Sequence, residues 1–256
     1  MTETAILIAC AHGTDSAAGR REIDRLREDI AGLRPGIDVR EAYVDVQQPE
    51  LPNVLASLPE GVPAIIVPLL LSVGYHVKVD IARAAQGRSN TFAALPLGPD
   101  PRLAGLLAGR LLEAGVGDSE AVVLAAAGSS DACASVDVGS LVRDLRALRA
   151  GPVQPGFGSK ARPSVPEATR ALRAASHAGR VAVASYLLAP GYFHDQLALS
   201  GADVVSAPLL PHPVLAEVAL ERYDAAALRL QQPVPPKPRN CDRPCRAAVE
   251  TCVRTF

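Results

Sequence analysis

The strongest pattern in the chain is a set of short apolar runs that each end in polar residues. The run from Ala64 to Leu71 is nearly uninterrupted, and His76 follows it closely. The run is rich in Ile, Val and Leu and is far shorter than the roughly 20 residues of a membrane helix. It therefore predicts a strand that is buried on both faces of a parallel sheet. Ala5–Ala11 is a second run of this kind, and it ends at His12.

Segments with helical spacing separate these runs. Apolar residues recur every three or four positions from Ile23 to Leu33, with charged residues between them, which predicts an amphipathic helix. Further strands are predicted at residues 37–45 and 92–97. Further helices are predicted from Val79 to Gln86, after His76, and from near Pro101. The first half therefore predicts four strands alternating with helices, the order that is typical of a mostly parallel sheet.

The same alternation begins again near Glu120, and four landmarks recur in the same order. They are Gly13 with Gly128, Pro49-x-x-Pro52 with Pro163-x-x-Pro166, Gly74-Tyr75 with Gly191-Tyr192, and Pro96-Leu97 with Pro208-Leu209. This recurrence indicates a duplication. We predict an α/β fold with two similar domains, each a four-stranded, mostly parallel sheet flanked by helices. Residues 1–117 and 118–230 form these domains, and residues 231–256 form a Pro-rich tail that contains cysteines.

Composition narrows the classes of partner. The formal net charge is −1, so no global basic field exists to hold nucleic acid or an anionic membrane. No run reaches the length of a membrane span, and no positively charged leader follows Met1. We therefore expect a soluble, cytoplasmic protein that binds neither nucleic acid nor membrane.

The duplication separates polar residues that the fold requires from those that it does not. Three groups at carboxyl ends of predicted strands, His12, Asp45 and His76, fall opposite Ala127, Ser159 and Phe193 in the second half. Ligands of open α/β sheets bind beyond these strand ends. A core histidine satisfied by hydrogen bonds is the alternative for each position, but the loss of all three groups together favours a role in metal binding or proton transfer.

Four motifs carry a resemblance to a known family. They are the strand followed by His-Gly-Thr at His12, the YVD end of the second strand at Asp45, PLLLSVGYHVKVDI at residues 68–81 and PLGPDPRLAGLLAGRL at residues 96–111. Together they resemble the class II sirohydrochlorin chelatases in their long, two-domain form. Most of residues 5–115 carries the resemblance, and the second half is similar to the degenerate partner domain.

The resemblance implies a lyase that inserts Co²⁺ or Fe²⁺ into the tetrapyrrole sirohydrochlorin, in cobalamin or siroheme biosynthesis. The family's two active-site histidines map onto His12 and His76, and an acidic residue maps onto Asp45. Two neutral imidazoles suit this task because they bind a borderline divalent metal, leave coordination positions open and accept protons near neutral pH. Asp45 is expected to orient a histidine or to accept a proton.

The many carboxylates of the substrate imply cationic groups around the site. Lys78 and Arg83 follow His76 and are the candidates for binding it, and Ser16 is a further hydrogen-bond donor whose alternative role is a helix N-cap. The sequence contains no GxxxxGK[ST] motif, so insertion is expected to be independent of ATP. We expect a monomer or a homodimer.

Two other functions stay open at this point. A metallochaperone or tetrapyrrole carrier would use the same residues without turnover. A phosphoryl-transfer enzyme with His12 as nucleophile is a second alternative, although Ala11 occupies the position where an arginine would favour it.

Cysteines and one histidine lie outside this pattern. Cys241, Cys245 and Cys252 could hold an iron–sulfur cluster, which would need a fourth ligand such as Cys133 or Cys10, or they could be free thiols. His194 adjoins the position that corresponds to His76, and it is either a displaced metal ligand or a residue on the surface of a helix.

Overall fold

The computed structural model describes residues 4–175 and 179–231, with side chains described as far as Leu228. The helices and strands of the first half are β1 (Ile6–Ala11), α1 (Ala17–Leu33), β2 (Val39–Tyr43), α2 (Leu51–Ser57), β3 (Ala64–Pro68), a π-helix (His76–Ile81), α3 (Ala82–Gln86), β4 (Thr91–Ala93) and α4 (Pro101–Glu113). Those of the second half are β5 (Ala121–Ala126), α5 (Ala132–Ala147), β6 (Val153–Phe157), α6 (Val165–Ala175), β7 (Val181–Tyr186), α7 (Tyr192–Gln196), a 3₁₀ turn (Leu197–Leu199), β8 (Val204–Val205) and α8 (Val214–Gln231).

Two four-stranded parallel sheets confirm the predicted fold class. Their strand orders are β2-β1-β3-β4 and β6-β5-β7-β8, so the first strand of each half lies in the interior of its sheet. Every residue of β1 is buried, and Leu7 pairs with Val39 on one side and with Ile65 on the other. Burial on both faces explains why β1 and β3 are continuous apolar runs in the sequence.

The core of the first unit has two sides. Alternate residues of β1, such as Ile8 and Cys10, pack with Leu51 of α2 and Ile81 of the π-helix in one apolar cluster. The opposite face of the sheet is covered by α1 and α8, because α8 contacts α1, β3 and β4. The hydroxyl of Tyr223 donates a 2.6 Å hydrogen bond to the carbonyl of Ala5 and so attaches α8 to the start of β1.

The two halves repeat the same backbone contacts. The amide of Tyr43 donates to the carbonyl of Pro49 at 3.0 Å, and the amide of Phe157 donates to the carbonyl of Pro163 at the same distance. A glycine with positive φ lies against the backbone of each of these turns, Gly13 in the first half and Gly128 in the second. The duplication that the landmarks predicted is therefore present in the backbone as well.

The compact units differ in one respect from the predicted boundaries at residues 117 and 230. One unit holds the chain up to Leu97 together with α8, and the other holds Gly98–Pro211. The reason is that α4 packs against α5 and β7, whereas α8 packs against the first sheet. Each repeat thus ends with a helix that completes the other unit, an exchange that the order of elements along the chain does not reveal.

No helix in the described ranges has both the length and the apolar content that spanning a membrane would need.

Candidate active site

Two histidines meet at the carboxyl edge of the first sheet. His12 follows β1 directly, and His76 begins the π-helix after β3, the strand that pairs with β1. Their ring centroids are 4.8 Å apart, and the ring planes are nearly perpendicular at 87°. Both side chains are half-buried. The sequence prediction that these two side chains lie close together at a strand edge is therefore confirmed, and their role as metal ligands stays a prediction.

Gly13 shapes the loop that holds His12. Its φ is +96°, and a Cβ at this position would lie 2.3 Å from the carbonyl oxygen of Asp45, so only glycine fits. The close approach lets the amide of Asp45 donate to the carbonyl of His12 at 3.1 Å. The amide of Thr14 donates to Oε1 of Gln47 at 2.8 Å, which ties the same loop to the end of β2.

The helix after β3 begins earlier than the sequence predicted and takes a different form. The pattern placed a helix from Val79 to Gln86, but the structure has a π-helix from His76 to Ile81 that continues into α3. Single π-helical turns occur frequently at functional sites. This turn carries Asp80, whose Oδ2 lies 2.7 Å from Nδ1 of His76. Sequence reasoning did not assign a role to Asp80, although its spacing of four residues from His76 on a helix is a signal that the two side chains meet.

The hydrogen-bond partners fix the tautomers of both imidazoles. The Nδ1 of His12 lies 3.2 Å from the carbonyl oxygen of Gly13, and the Nδ1 of His76 lies against the carboxylate of Asp80. A carbonyl oxygen and a carboxylate only accept hydrogen bonds, so Nδ1 is the protonated nitrogen in both rings. In each neutral imidazole the free lone pair is therefore on Nε2, which is the form that binds a metal ion or accepts a proton.

Asp45 lies just past the end of β2, where the sequence placed it, and its role in orienting a histidine or accepting a proton stays a prediction. Its side chain is exposed, and its Oδ1 accepts a 2.8 Å hydrogen bond from the amide of Val46. That bond stabilises the turn in which Val46 has a φ of +60°. The carboxylate that contacts a histidine is that of Asp80, because Asp80 shares a helical turn with His76 while Asp45 ends the neighbouring strand.

The predicted substrate-binding side chains have three different environments. Lys78 is 4% exposed, so its ammonium does not lie on an open rim; the π-helix turns this side chain inward. Ser16 is the N-cap of α1, and its hydroxyl accepts from the amide of Gly19 at 3.2 Å. Arg83 is exposed on α3 and remains available for an anionic ligand.

A cavity of about 710 Å³ lies in the first unit, and Asp80, the partner of His76, is one of its lining residues. It is bounded by α2 and α3, and its lining includes Leu51, Leu55, Asp80 and Arg83. The carboxylate of Asp80 therefore stands between His76 and this cavity, with the guanidinium of Arg83 one helical turn further along. The cavity combines apolar walls with two guanidinium groups, of Arg83 and Arg88, and with the carboxylates of Glu50, Glu60 and Asp80.

The matching edge of the second unit is apolar. Phe193 stands where His76 stands in the first unit, and it packs against the buried cluster that contains Leu197. A Cβ on Gly158 would lie 2.9 Å from the Phe193 ring, so the ring fills the space next to this glycine. His194 points to the buried Ser185, with 2.9 Å between Nδ1 and Oγ, and burial lowers the pKa of its imidazole against an opposing effect of Asp195.

The cysteines of the described residues are buried. Cys10 lies in β1 and is inaccessible, and burial raises the pKa of its thiol to about 12 against an opposing effect of the Arg27 guanidinium. Cys133 is also buried and reduced. Cys241, Cys245 and Cys252 lie outside the described residues, and no comparison supports an iron–sulfur cluster. Within residues 4–175 and 179–231, no group of three or more His, Cys, Asp or Glu side chains is arranged to hold a metal ion.

Three solved structures share this fold over most of the chain. SirB from Bacillus subtilis with Fe³⁺ matches with a TM-score of 0.73 and 20% identity, over 90% of this chain and 97% of that protein. SirB from Bacillus subtilis subspecies spizizenii in complex with cobalt matches with a TM-score of 0.70 and 20% identity, over 89% and 96% of the two chains. A CbiX described as the terminal enzyme for siroheme biosynthesis in denitrifying bacteria matches with a TM-score of 0.63 and 19% identity, over 86% and 99%.

At these identities the structural matches establish the fold. Comparison with curated protein sequences gives no match. The sequence model of the CbiX family matches this chain twice, at residues 6–114 and 121–226, and each match covers one of the two repeats. Most of the chain is therefore accounted for by two copies of one family unit, and the protein belongs to the CbiX family.

Proposed function

We propose that the protein inserts a divalent metal ion, Co²⁺ or Fe²⁺, into sirohydrochlorin without ATP. The observation that carries the proposal is the convergence of His12 and His76, whose rings lie 4.8 Å apart with both Nδ1 atoms engaged elsewhere. Membership of the CbiX family supports it, as does the fold shared with SirB, which has been solved with iron and with cobalt. The metal ion is a substrate of this reaction and leaves with the product.

The reaction exchanges two protons for one metal ion. Two pyrrole N–H bonds break and release two protons, the bonds from the metal ion to the two imidazoles break, and four bonds form between the metal ion and the nitrogens of the macrocycle. The Nε2 atoms of His12 and His76 would hold the incoming ion weakly, because two imidazoles leave most coordination positions open for the pyrrole nitrogens. After the ion has moved onto the macrocycle, the same Nε2 atoms are free to accept the displaced protons.

The cavity that Asp80 and Arg83 line supports a role for Arg83 in binding the substrate. Sirohydrochlorin presents carboxylates around an apolar ring system, and the cavity presents apolar walls beside an exposed guanidinium. A guanidinium forms paired hydrogen bonds with a carboxylate. Arg83→Gln keeps the length and polarity of the side chain and removes its charge, so it should raise the KM for sirohydrochlorin about tenfold and leave kcat near the value of the unmodified protein.

Anaerobic incubation with sirohydrochlorin and one metal at a time tests the proposal. The visible absorption spectrum should change to that of the metallated product with Co²⁺ or Fe²⁺, at many product molecules per protein. A spectral change that stops at one product per protein would support a carrier without turnover instead. No metallated product above the rate of a protein-free control would overturn the assignment.

We also propose a cellular location, an oligomeric state and a small-molecule partner. A cytoplasmic location and a monomeric or homodimeric state follow from the sequence expectations, and sirohydrochlorin is the expected small-molecule partner. Fractionation with a cytosolic marker and light scattering of the purified protein would test these two statements.

A further inference from the structure

We infer that Asp80 is a positioning residue for metal delivery, which holds His76 by Nδ1 and thereby directs Nε2 toward the metal ion. This inference rests on the proposed function, because it assigns a partner to one of the two histidines of that site. It also replaces the orienting role that the sequence suggested for Asp45.

The contact between the two side chains has the length of a charge-assisted hydrogen bond. Oδ2 of Asp80 lies 2.7 Å from Nδ1 of His76, and the two side chains are 32% and 35% exposed. Carboxylates that accept a hydrogen bond from the second nitrogen of a metal-binding histidine fix its tautomer and ring orientation, and they raise its basicity. The partner of His12 is instead the carbonyl of Gly13, at a longer distance of 3.2 Å.

The local fold makes this pairing rigid. His76 and Asp80 are the first and fifth residues of one π-helix, which continues directly into α3. The amide of Lys78 bonds to the carbonyl of Gly74 at 3.1 Å, and Val77 and Ile81 are inaccessible on the buried side of the turn. A histidine and its partner on one packed element keep their relative position more precisely than two residues on separate loops.

The second repeat supplies an internal comparison. Counting from the shared Gly-Tyr pair, His76 corresponds to Phe193 and Asp80 corresponds to Leu197. Leu197 is 4% exposed, and Phe193 packs against the same apolar cluster. The carboxylate is therefore absent where the histidine is absent, and an apolar pair fills the place of the polar pair. This joint replacement is expected if the role of Asp80 is to position the imidazole of His76.

Binding of Co²⁺ alone to the full-length, tag-free protein tests the inference. The visible absorption of Co²⁺ reports its ligands, so no tetrapyrrole is needed. Asp80→Asn keeps the shape and an acceptor atom but removes the charge, and Asp80→Leu introduces the side chain of the second repeat. We expect Co²⁺ affinity to fall about 10-fold in Asp80→Asn and up to about 100-fold in Asp80→Leu.

Matched controls separate this inference from the proposed function. Asp45→Asn should bind Co²⁺ like the unmodified protein, since in the part of the chain that the structure describes that carboxylate bonds to the backbone amide of Val46 and not to a histidine. If Asp80→Asn also binds Co²⁺ like the unmodified protein while His76→Ala binds it weakly, Asp80 has no positioning role. Failure of His76→Ala to weaken binding would overturn both statements. Weakened Co²⁺ binding in a protein that never metallates sirohydrochlorin would sustain the role of Asp80 and overturn the enzymatic function.

Discussion

The segments that follow β3 and β7 start from the same Gly-Tyr pair but differ in helix type and in chemistry. Each begins with Gly-Tyr and places an exposed tyrosine ring at a right angle or a steep angle to the next aromatic side chain. In the first unit that next side chain is His76, bonded to Asp80. In the second unit it is Phe193, packed against the cluster that includes Leu197.

This difference shows which residues the fold requires. Both sheets form with the same strand order, whichever pair follows the third strand. Two polar side chains at this half-buried position gain less from burial than the apolar pair does. A polar pair that the fold does not need is most simply explained by a function that the second unit lacks, since proteins break local rules mainly at functional sites.

Removal of either histidine should have the largest effect. We expect His12→Ala and His76→Ala each to lower the rate of metal insertion at least about 100-fold, because each variant lacks one of the two imidazoles that hold the metal ion and accept the protons. Phe193→Ala, at the matching position, should retain the rate and lose about 1–2 kcal/mol of unfolding free energy. Initial rates by visible absorption and urea unfolding measure the two quantities. Full activity in the His12→Ala/His76→Ala double variant would refute the pairing.

Substitution of the two loop glycines should separate stability from activity. Gly13 and Gly128 have φ values of +96° and +89°, and a Cβ on either would meet a carbonyl oxygen at 2.3 or 2.0 Å. Alanine should therefore cost about 1–3 kcal/mol in each unit. Gly13→Ala should also displace His12 and lower the insertion rate about 10-fold or more, whereas Gly128→Ala should leave kcat unchanged in the folded fraction. Equal losses of kcat in the two variants would contradict the asymmetry between the units.

A further test replaces Gly158 by valine, the residue at the matching position of the first repeat. Gly158 leaves space for the Phe193 ring, and Val44 is the residue at the corresponding position of the first repeat. Gly158→Val should destabilise the protein by about 1–3 kcal/mol, because the added side chain meets the ring. The double variant Gly158→Val/Phe193→Ala should recover part of this loss. Additive losses in urea unfolding would show that the two side chains do not compete for the same space.

The smallest effect concerns helix capping in the two repeats. Ser164 and Glu167 bond each other's amides at the start of α6, whereas α2 follows Glu50 without a side-chain cap. The Ser164 amide, then the Arg162 side chain, lowers the pKa of Glu167 from 4.5 to about 2. Because the folded-state pKa is depressed, the stabilisation is complete above pH 4.5 and is lost as the pH falls toward 2. Thermal unfolding between pH 3 and 6 should depend less on pH in Glu167→Gln than in Glu50→Gln; equal slopes would contradict the assigned cause.

The sequence was sufficient to predict the sheets and the histidine pair. Parallel strands buried on both faces leave continuous apolar runs, so β1 and β3 were visible, and the histidines that follow neighbouring strands had to meet at one edge. The role of Asp80 was missed because the π-helix begins at His76, three residues before the predicted helix, and only then do residues 76 and 80 share a turn.

Other features depend on contacts that a linear pattern does not encode. Arg34 and Asp224 form a paired salt bridge that fastens α8 to α1, although 190 positions separate them. Nothing in the periodicity of α4 or α8 indicates which sheet each helix covers. The burial of Lys78 likewise depends on the direction in which the π-helix turns. From the sequence alone, a lysine near a histidine is expected to be an exposed charge.

Crystals of the tag-free protein grown with Co²⁺ would show whether His12 and His76 share one metal ion. We expect one strong anomalous peak at roughly 2.1 Å from the Nε2 atoms of both His12 and His76, the length of a metal–imidazole bond. We also expect that the Nδ1 atom of His76 remains bonded to Asp80 and that no peak lies beside Phe193. A cobalt ion bound by only one of these histidines, or bound elsewhere while both rings stay empty, would contradict the account.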